Sequence, residues 1–176
     1  CQSRFDIRTF GAVLSTGLNA GQVRGPVQCT FARSIDPVFA MEAGITRKAV
    51  ATEKDAQKQL DKDGIITGTM GRKNLIPYGL FQNYWFINPT QATQTGFNHE
   101  DFRVLCDGLL NMFELERSAS RGLMNTQALF VFKHDSVYGN ARAQQLFDRV
   151  EARRYKEDQP ARSFKDYRVV FDDEDL

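Results

Sequence analysis

Ile45-Thr46-Arg47-Lys48-Ala49-Val50-Ala51-Thr52, the charged run from Glu53 to Asp63, and Gly64-Ile65-Ile66-Thr67-Gly68-Thr69-Met70-Gly71-Arg72-Lys73 form a segment unlike the rest of the chain. Its outer arms contain β-branched residues and glycines, whereas its middle is almost entirely polar. With so few large apolar side chains it has little to contribute to a core. Residues 45–73 are therefore expected to project as a hairpin or arm.

The flanking sequence carries the core. Phe102, Leu105, Cys106, Leu109, Leu110 and Phe113 recur at three- and four-residue spacing, which predicts an amphipathic helix. Asn98 suits its N-cap, Glu100 and Asp101 suit its first turn, and Phe97 is placed to staple onto Phe102. Arg117, Arg121 and Gly122 mark its expected end. A second helix is expected from Asn140 through Ala143, Leu146, Phe147 and Val150, with Arg153 and Arg154 near its C-terminus. Strands are expected at 27–35, 76–88 and 128–134, where β-branched and aromatic residues are bounded by Gly, Pro or Asn. The fold class is α+β.

The 176 residues suffice for one domain with a core, and 41% hydrophobic with 26% charged residues places the chain among soluble globular proteins. The longest strongly apolar run, Leu129 to Phe132, is far too short to span a bilayer, so no membrane is expected and a cytoplasmic location is the default. Cys1, Cys29 and Cys106 are odd in number and widely spaced, giving neither a disulfide framework nor a zinc pattern. The start at Cys1 leads to the expectation that a natural N-terminal portion is missing.

The formal net charge of +1 conceals an uneven distribution. Residues 1–50 hold six basic and three acidic residues; residues 151–176 hold six basic and eight acidic, and are expected to be a solvated surface or the stump of a longer chain. No charged residue lies between Asn74 and His99, a stretch rich in Phe, Tyr and Trp that reads as core or interface.

The common enzyme signatures are missing: no nucleophile elbow, zinc helix, EF-hand loop or complete Walker A sequence occurs. His99 and His134 are isolated and read as structural or surface residues. Asp6, Asp36 and Asp135 read as caps and ion-pair partners. No catalytic residue, metal or cofactor is assigned. Gly68-Thr69-Met70-Gly71 followed by Arg72 and Lys73 is either a glycine-rich turn or a phosphate-contacting backbone, and it is similar to the GXXG clamp of KH domains. Gly21-Gln22-Val23-Arg24-Gly25-Pro26-Val27-Gln28 is either a tight turn or a loop that offers donors to a sugar-phosphate backbone.

Taken together, Phe5 to Val13, Gly21 to Gln28, Phe31-Ala32-Arg33-Ser34-Ile35-Asp36-Pro37 and Gly68 to Lys73 resemble the repeated backbone subunit of type I-C CRISPR interference complexes, the Cascade assemblies. Ile45-Thr46-Arg47, Phe132-Lys133-His134-Asp135-Ser136 and Gly139-Asn140-Ala141 extend the resemblance to about Tyr167. It implies an RRM-like, ferredoxin-like palm with an inserted thumb β-hairpin, the thumb corresponding to residues 45–73. It also implies a single domain over 1–176 that lacks the family's N-terminal portion with the first palm strand.

The implied function is a non-catalytic scaffold. Such a subunit polymerises with further copies of itself and other Cascade subunits along CRISPR RNA, and presents the guide for pairing with target DNA. Because the guide varies while the protein does not, it would grip the backbone without reading sequence. The candidate phosphate-facing cations are Arg24, Arg33, Arg47, Lys48, Arg72 and Lys73, with Gln22 and Gln28 as neutral donors. Ile45 and Met70 either wedge beside bases at the thumb root or pack within the hairpin. Phe31, Phe81 and Trp85 are expected in the core rather than as base platforms, since the resemblance implies that guide bases stay available for pairing. Two alternatives remain: an RNA endonuclease of the type III backbone kind using Asp6 or Asp36, and a stand-alone KH-type module.

Overall fold

A computed structural model describes residues 3–14, 21–47, 49–66, 69–118 and 122–173. Cys1, Lys48, Thr67, Gly68, Arg121 and the acidic end at Glu174 and Asp175 fall outside the described residues. In chain order the elements are α1 (Phe5–Phe10), β1 (Gly11–Leu14), β2 (Gly21–Arg24), β3 (Val27–Cys29), β4 (Arg33–Ser34), β5 (Met41–Arg47), α2 (Glu53–Asp63) and β6 (Thr69–Leu75). There follow β7 (Phe81–Gln82), β8 (Trp85–Ile87), α3 (Pro89–Thr95), α4 (His99–Asn111), α5 (Ala143–Phe147), β9 (Val150–Arg154) and β10 (Tyr167–Phe171). The class is α+β, and every strand pairing is antiparallel. Two compact units result: Cys1–Ile35 with Leu80–Leu176, and Asp36–Gly79.

In the larger unit, α1 packs against α3, β1 and β3. Pro26, Val27, Leu105, Leu146 and Tyr167 are buried apolar side chains. Gly11 and Gly25 let two backbones meet. A Cβ on Gly25 would stand 2.2 Å from the Phe10 carbonyl carbon, and one on Gly11, at φ 80°, would stand 2.3 Å from the Val23 oxygen. Only glycine tolerates such an approach.

The predicted strand at 27–35 is one strand with an interruption. Cys29 faces Trp85 and Arg33 faces Gln82, so Thr30, Phe31 and Ala32 oppose only Asn83 and Tyr84. The extra residue is a β-bulge, and the ladder continues on both sides through Asn88 N to Pro26 O and Ile35 N to Leu80 O. The predicted strand at 76–88 is correspondingly reduced to β7 and β8. Tyr84 stacks on Phe147 of α5 at 4.1 Å between ring centroids, and Phe86 meets the same ring edge-on at 5.5 Å. The uncharged aromatic stretch thus docks a helix, as expected of core or interface. Phe31 is a correction: it is 99% exposed, because the bulge turns it away from the packed face. Phe81 is also about half exposed.

The helix from Asn98 begins as expected. Asn98 Oδ1 accepts from the Glu100 and Asp101 amides, and Asp101 Oδ2 accepts from the Asn98 amide, a reciprocal capping box. It ends at Asn111, short of Arg117 and Gly122. The second helix is a single short turn-and-a-half, Ala143–Phe147; Asn140 does not cap it. Instead Asn140 closes a turn, its amide donating to His134 Nδ1 at 3.0 Å and its Oδ1 accepting from the Asp135 amide at 3.0 Å. Val150, Arg153 and Arg154 belong to β9, which pairs with β10. The supposedly solvated end therefore forms a hairpin, and its Tyr167 is buried.

Residues 128–134 do not form a strand. A strand needs a ladder for its amides and carbonyls, and this segment is held by side chains instead. Phe130 and Phe132 lie 5.5 and 6.0 Å from the ring of Phe171 on β10.

The smaller unit is the hairpin β5–β6, in register from Met41 opposite Leu75 to Arg47 opposite Thr69. The charged run between its arms is helical. Thr52 Oγ1 accepts from the Asp55 amide, Glu53 and Asp55 occupy the first turn, Lys62 the last, and Gly64 ends the helix in the left-handed region at φ 68°. Among the described residues of this unit none is fully buried, so its order rests on the ladder and on α2's local signals.

Among the described residues no helix is long and apolar enough to cross a membrane.

Candidate nucleic-acid interface

The two units divide the candidate residues. In the larger unit, β1–β2 pairs Gly11 with Arg24 and Val13 with Gln22. Alternation along β2 puts Gln22 and Arg24 on one face, both exposed, while Val23 is half-buried on the other. Gln28, just past the Gly25-Pro26 corner, joins them. Gln22, Arg24 and Gln28 line one shallow concavity of about 270 Å³ with Phe10, Gly11 and Gly25. The close approach at Gly11 and Gly25 is what brings the β1–β2 ribbon beside β3. This places one guanidinium and two amides around bare glycine backbone, a donor-rich surface suited to phosphate and sugar oxygens. Arg33 is exposed on β4, outside that concavity.

In the smaller unit the register assigns each candidate to a face, since cross-strand partners share one. Ala43 with Lys73, Ile45 with Gly71, and Arg47 occupy one face; Gly44 with Arg72 and Thr46 with Met70 occupy the other. Arg47 is exposed and Lys73 half-buried on the first face. Arg72, on the second, makes a 3.4 Å ion pair with Glu42, and both side chains are open to solvent. Such a pair is weak and exchangeable. Lys48 lies outside the described residues.

Ile45 and Met70, 48% and 82% exposed, sit on opposite faces. They lie toward the α2 end of the ladder. A wedge using both would straddle the ribbon.

The GXXG reading has lost its setting. Met70 and Gly71 are strand residues of β6 paired with Thr46 and Ile45, whereas a KH clamp is a loop between two helices. Asp6 lies on α1 of the larger unit and Asp36 in the smaller one. His134 and Asp135 are engaged with Asn140 in the turn described above. Among the described residues no three His, Cys, Asp or Glu side chains are grouped to hold a metal ion.

Glu42, cross-strand diagonal to Arg72, was not anticipated from the sequence and needed the register to be found. The helical nature of 53–63 was legible in Thr52, Asp55 and Gly64, but the density of charge obscured it.

The family model described as CRISPR-associated protein Cas7 matches residues 1–172, and the chain belongs to that family. No curated protein matches it.

Proposed function

We propose that this member of the CRISPR-associated protein Cas7 family is a non-catalytic RNA scaffold subunit of a type I-C Cascade complex. It binds CRISPR RNA through its backbone, assembles with further copies and sibling subunits along the guide in the cytoplasm, and leaves the bases free to pair with target DNA. The larger unit supplies an RRM-like palm. Residues 45–73, within the smaller unit, act as the thumb.

The observation that carries this reading is the exposed β5–β6 hairpin, which displays cations on both faces in a chain of this family. A ribbon with little core of its own is well suited to contacting a polyanion or a neighbouring subunit. The Gln22–Arg24–Gln28 concavity adds a second donor-rich surface with no carboxylate among its lining residues. Contacts from these surfaces to phosphate and sugar oxygens would be indifferent to base identity, which is what a guide of variable sequence demands.

The test is to purify the protein from cells that express a matching CRISPR array and the sibling subunits, then sequence any RNA that travels with it. Uniform guide-length RNA in a multi-subunit particle is the expected result. An RNA-free monomer would overturn the reading. Metal-dependent cleavage of RNA paired to the guide, lost in Asp36→Ala, would replace it with the endonuclease alternative.

A further inference from the structure

The bulge between β3 and β4 displays a phenyl ring on a backbone that is held on both sides. Thr30 N donates to Tyr84 O at 2.9 Å, Tyr84 N donates to Thr30 Oγ1 at 3.2 Å, and Asn83 Nδ2 donates to Thr30 O. Two residues beyond Phe31 the ladder resumes at Arg33 opposite Gln82. Between these anchors Phe31 is 99% exposed. Leaving a large apolar side chain in water forgoes the free energy of burying it. A bulge commonly re-aims a side chain at a functional edge.

The surroundings indicate what the ring meets. From Val27 to Ile35 the two strands and their bulge carry Arg33 and no carboxylate, Asp36 being the next residue, and the opposing stretch from Leu80 to Asn88 carries no charge at all. An exposed aromatic ring two residues from an exposed arginine matches the pairing of base stacking with phosphate neutralisation seen in single-strand binders. Because the backbone is already ordered, little conformational entropy is lost on contact.

We infer that Phe31 is a base-stacking residue for single-stranded nucleic acid, with Arg33 on the adjoining phosphate. This rests on the RNA-scaffold reading and adds to it one place where a base, and not only the backbone, is touched. Stacking is indifferent to base identity, so a guide of any sequence is accommodated.

The experiment measures binding of fluorescein-labelled single-stranded RNA to the full-length chain by anisotropy. Phe31→Ala should weaken binding about 5- to 150-fold while leaving the salt slope unchanged, because no cation is removed. Phe31→Trp should retain affinity, and its emission should change on RNA addition over the Trp85 background. RNA bearing abasic sites throughout should bind the wild type and Phe31→Ala equally.

Wild-type affinity in Phe31→Ala, with the wild type binding RNA, overturns the stacking role and leaves the scaffold reading standing. Failure of the wild type to bind RNA removes both. Normal RNA affinity with lost self-assembly in Phe31→Ala makes the ring a protein contact and overturns the proposal.

Discussion

Arg8 on α1 and Asp101 on α4, 93 positions apart, are joined at two points: Nε donates to Oδ2 at 3.0 Å and Nη2 donates to Oδ1. Asp101 is buried, and the same carboxylate accepts the Asn98 amide, so one side chain both caps α4 and holds it to the N-terminal helix. The guanidinium hydrogen bond, chiefly, holds the Asp101 carboxyl below its ordinary pKa against the opposing effect of burial. Arg8 is correspondingly raised by the same bond.

Asp101→Asn should therefore lower the melting temperature by roughly 5–10 °C, since it removes the charge from the buried carboxylate that Arg8 grips at two points. Circular dichroism melting at neutral pH checks this. Because the folded pKa lies below the unfolded one, the contribution is fully present above the ordinary carboxylate range and is lost as pH falls through the depressed value. The melting temperatures of wild type and variant should converge with acidification below about pH 4. A constant gap across that range would sink the assignment.

Gly25→Ala should disrupt the larger unit, because the new methyl meets the backbone of Phe10 and Gly11 rather than a movable side chain. A loss of about 2 kcal/mol or more is expected, read as a lower urea midpoint. Gly44→Ala is the contrast: nothing lies within 4 Å of its Cβ, and alanine should stiffen β5 by about 0.5 kcal/mol. Equal effects of the two substitutions would contradict the close backbone approach.

For RNA binding, Arg24→Ala, Arg47→Ala and Lys73→Ala should each reduce the log–log salt slope by about 0.7 where the cation meets a phosphate. The combined variant should lose most of the salt dependence these sites provide. Unchanged affinity and slope in that variant would remove them from the interface.

Glu42→Gln should have the opposite sign. It releases Arg72 from its exposed pair, and RNA affinity should rise about two- to five-fold. Titrations with and without the additional Arg72→Ala substitution would check it: the gain must vanish when Arg72 is removed.

The two described thiols should react differently. Cys29 is exposed, whereas Cys106 is partly covered and its pKa is raised, first by burial and then by the neighbouring Asp107 carboxylate. Alkylation near pH 8 should label Cys29 quickly and Cys106 slowly, with Cys106→Ser abolishing the slow phase. Mass spectrometry of the modified peptides would show it.

Sequence alone was sufficient where the determining interactions are local. The start of α4 follows from Asn98, Glu100 and Asp101, three residues within one turn, and the α+β class follows from periodicities that span a few residues. The same kind of signal, in Thr52, Asp55 and Gly64, specified α2 even though the surrounding charge made the run resemble a linker. Candidate cations were visible as residue types beside glycines.

What only the tertiary structure decided depends on pairing between distant segments. Whether 128–134 becomes a strand depends on a ladder partner for its amides, which its composition does not supply. Whether Phe31 is core or surface depends on one extra residue between Cys29 and Arg33 relative to the facing strand, and whether Ile45 and Met70 share a face depends on the register of β5 against β6. Asp101 looked like a first-turn acid in solvent until the fold placed Arg8 against it. Helix caps and hydrophobic period act over about four residues, whereas register and burial are set by contacts between segments far apart in sequence.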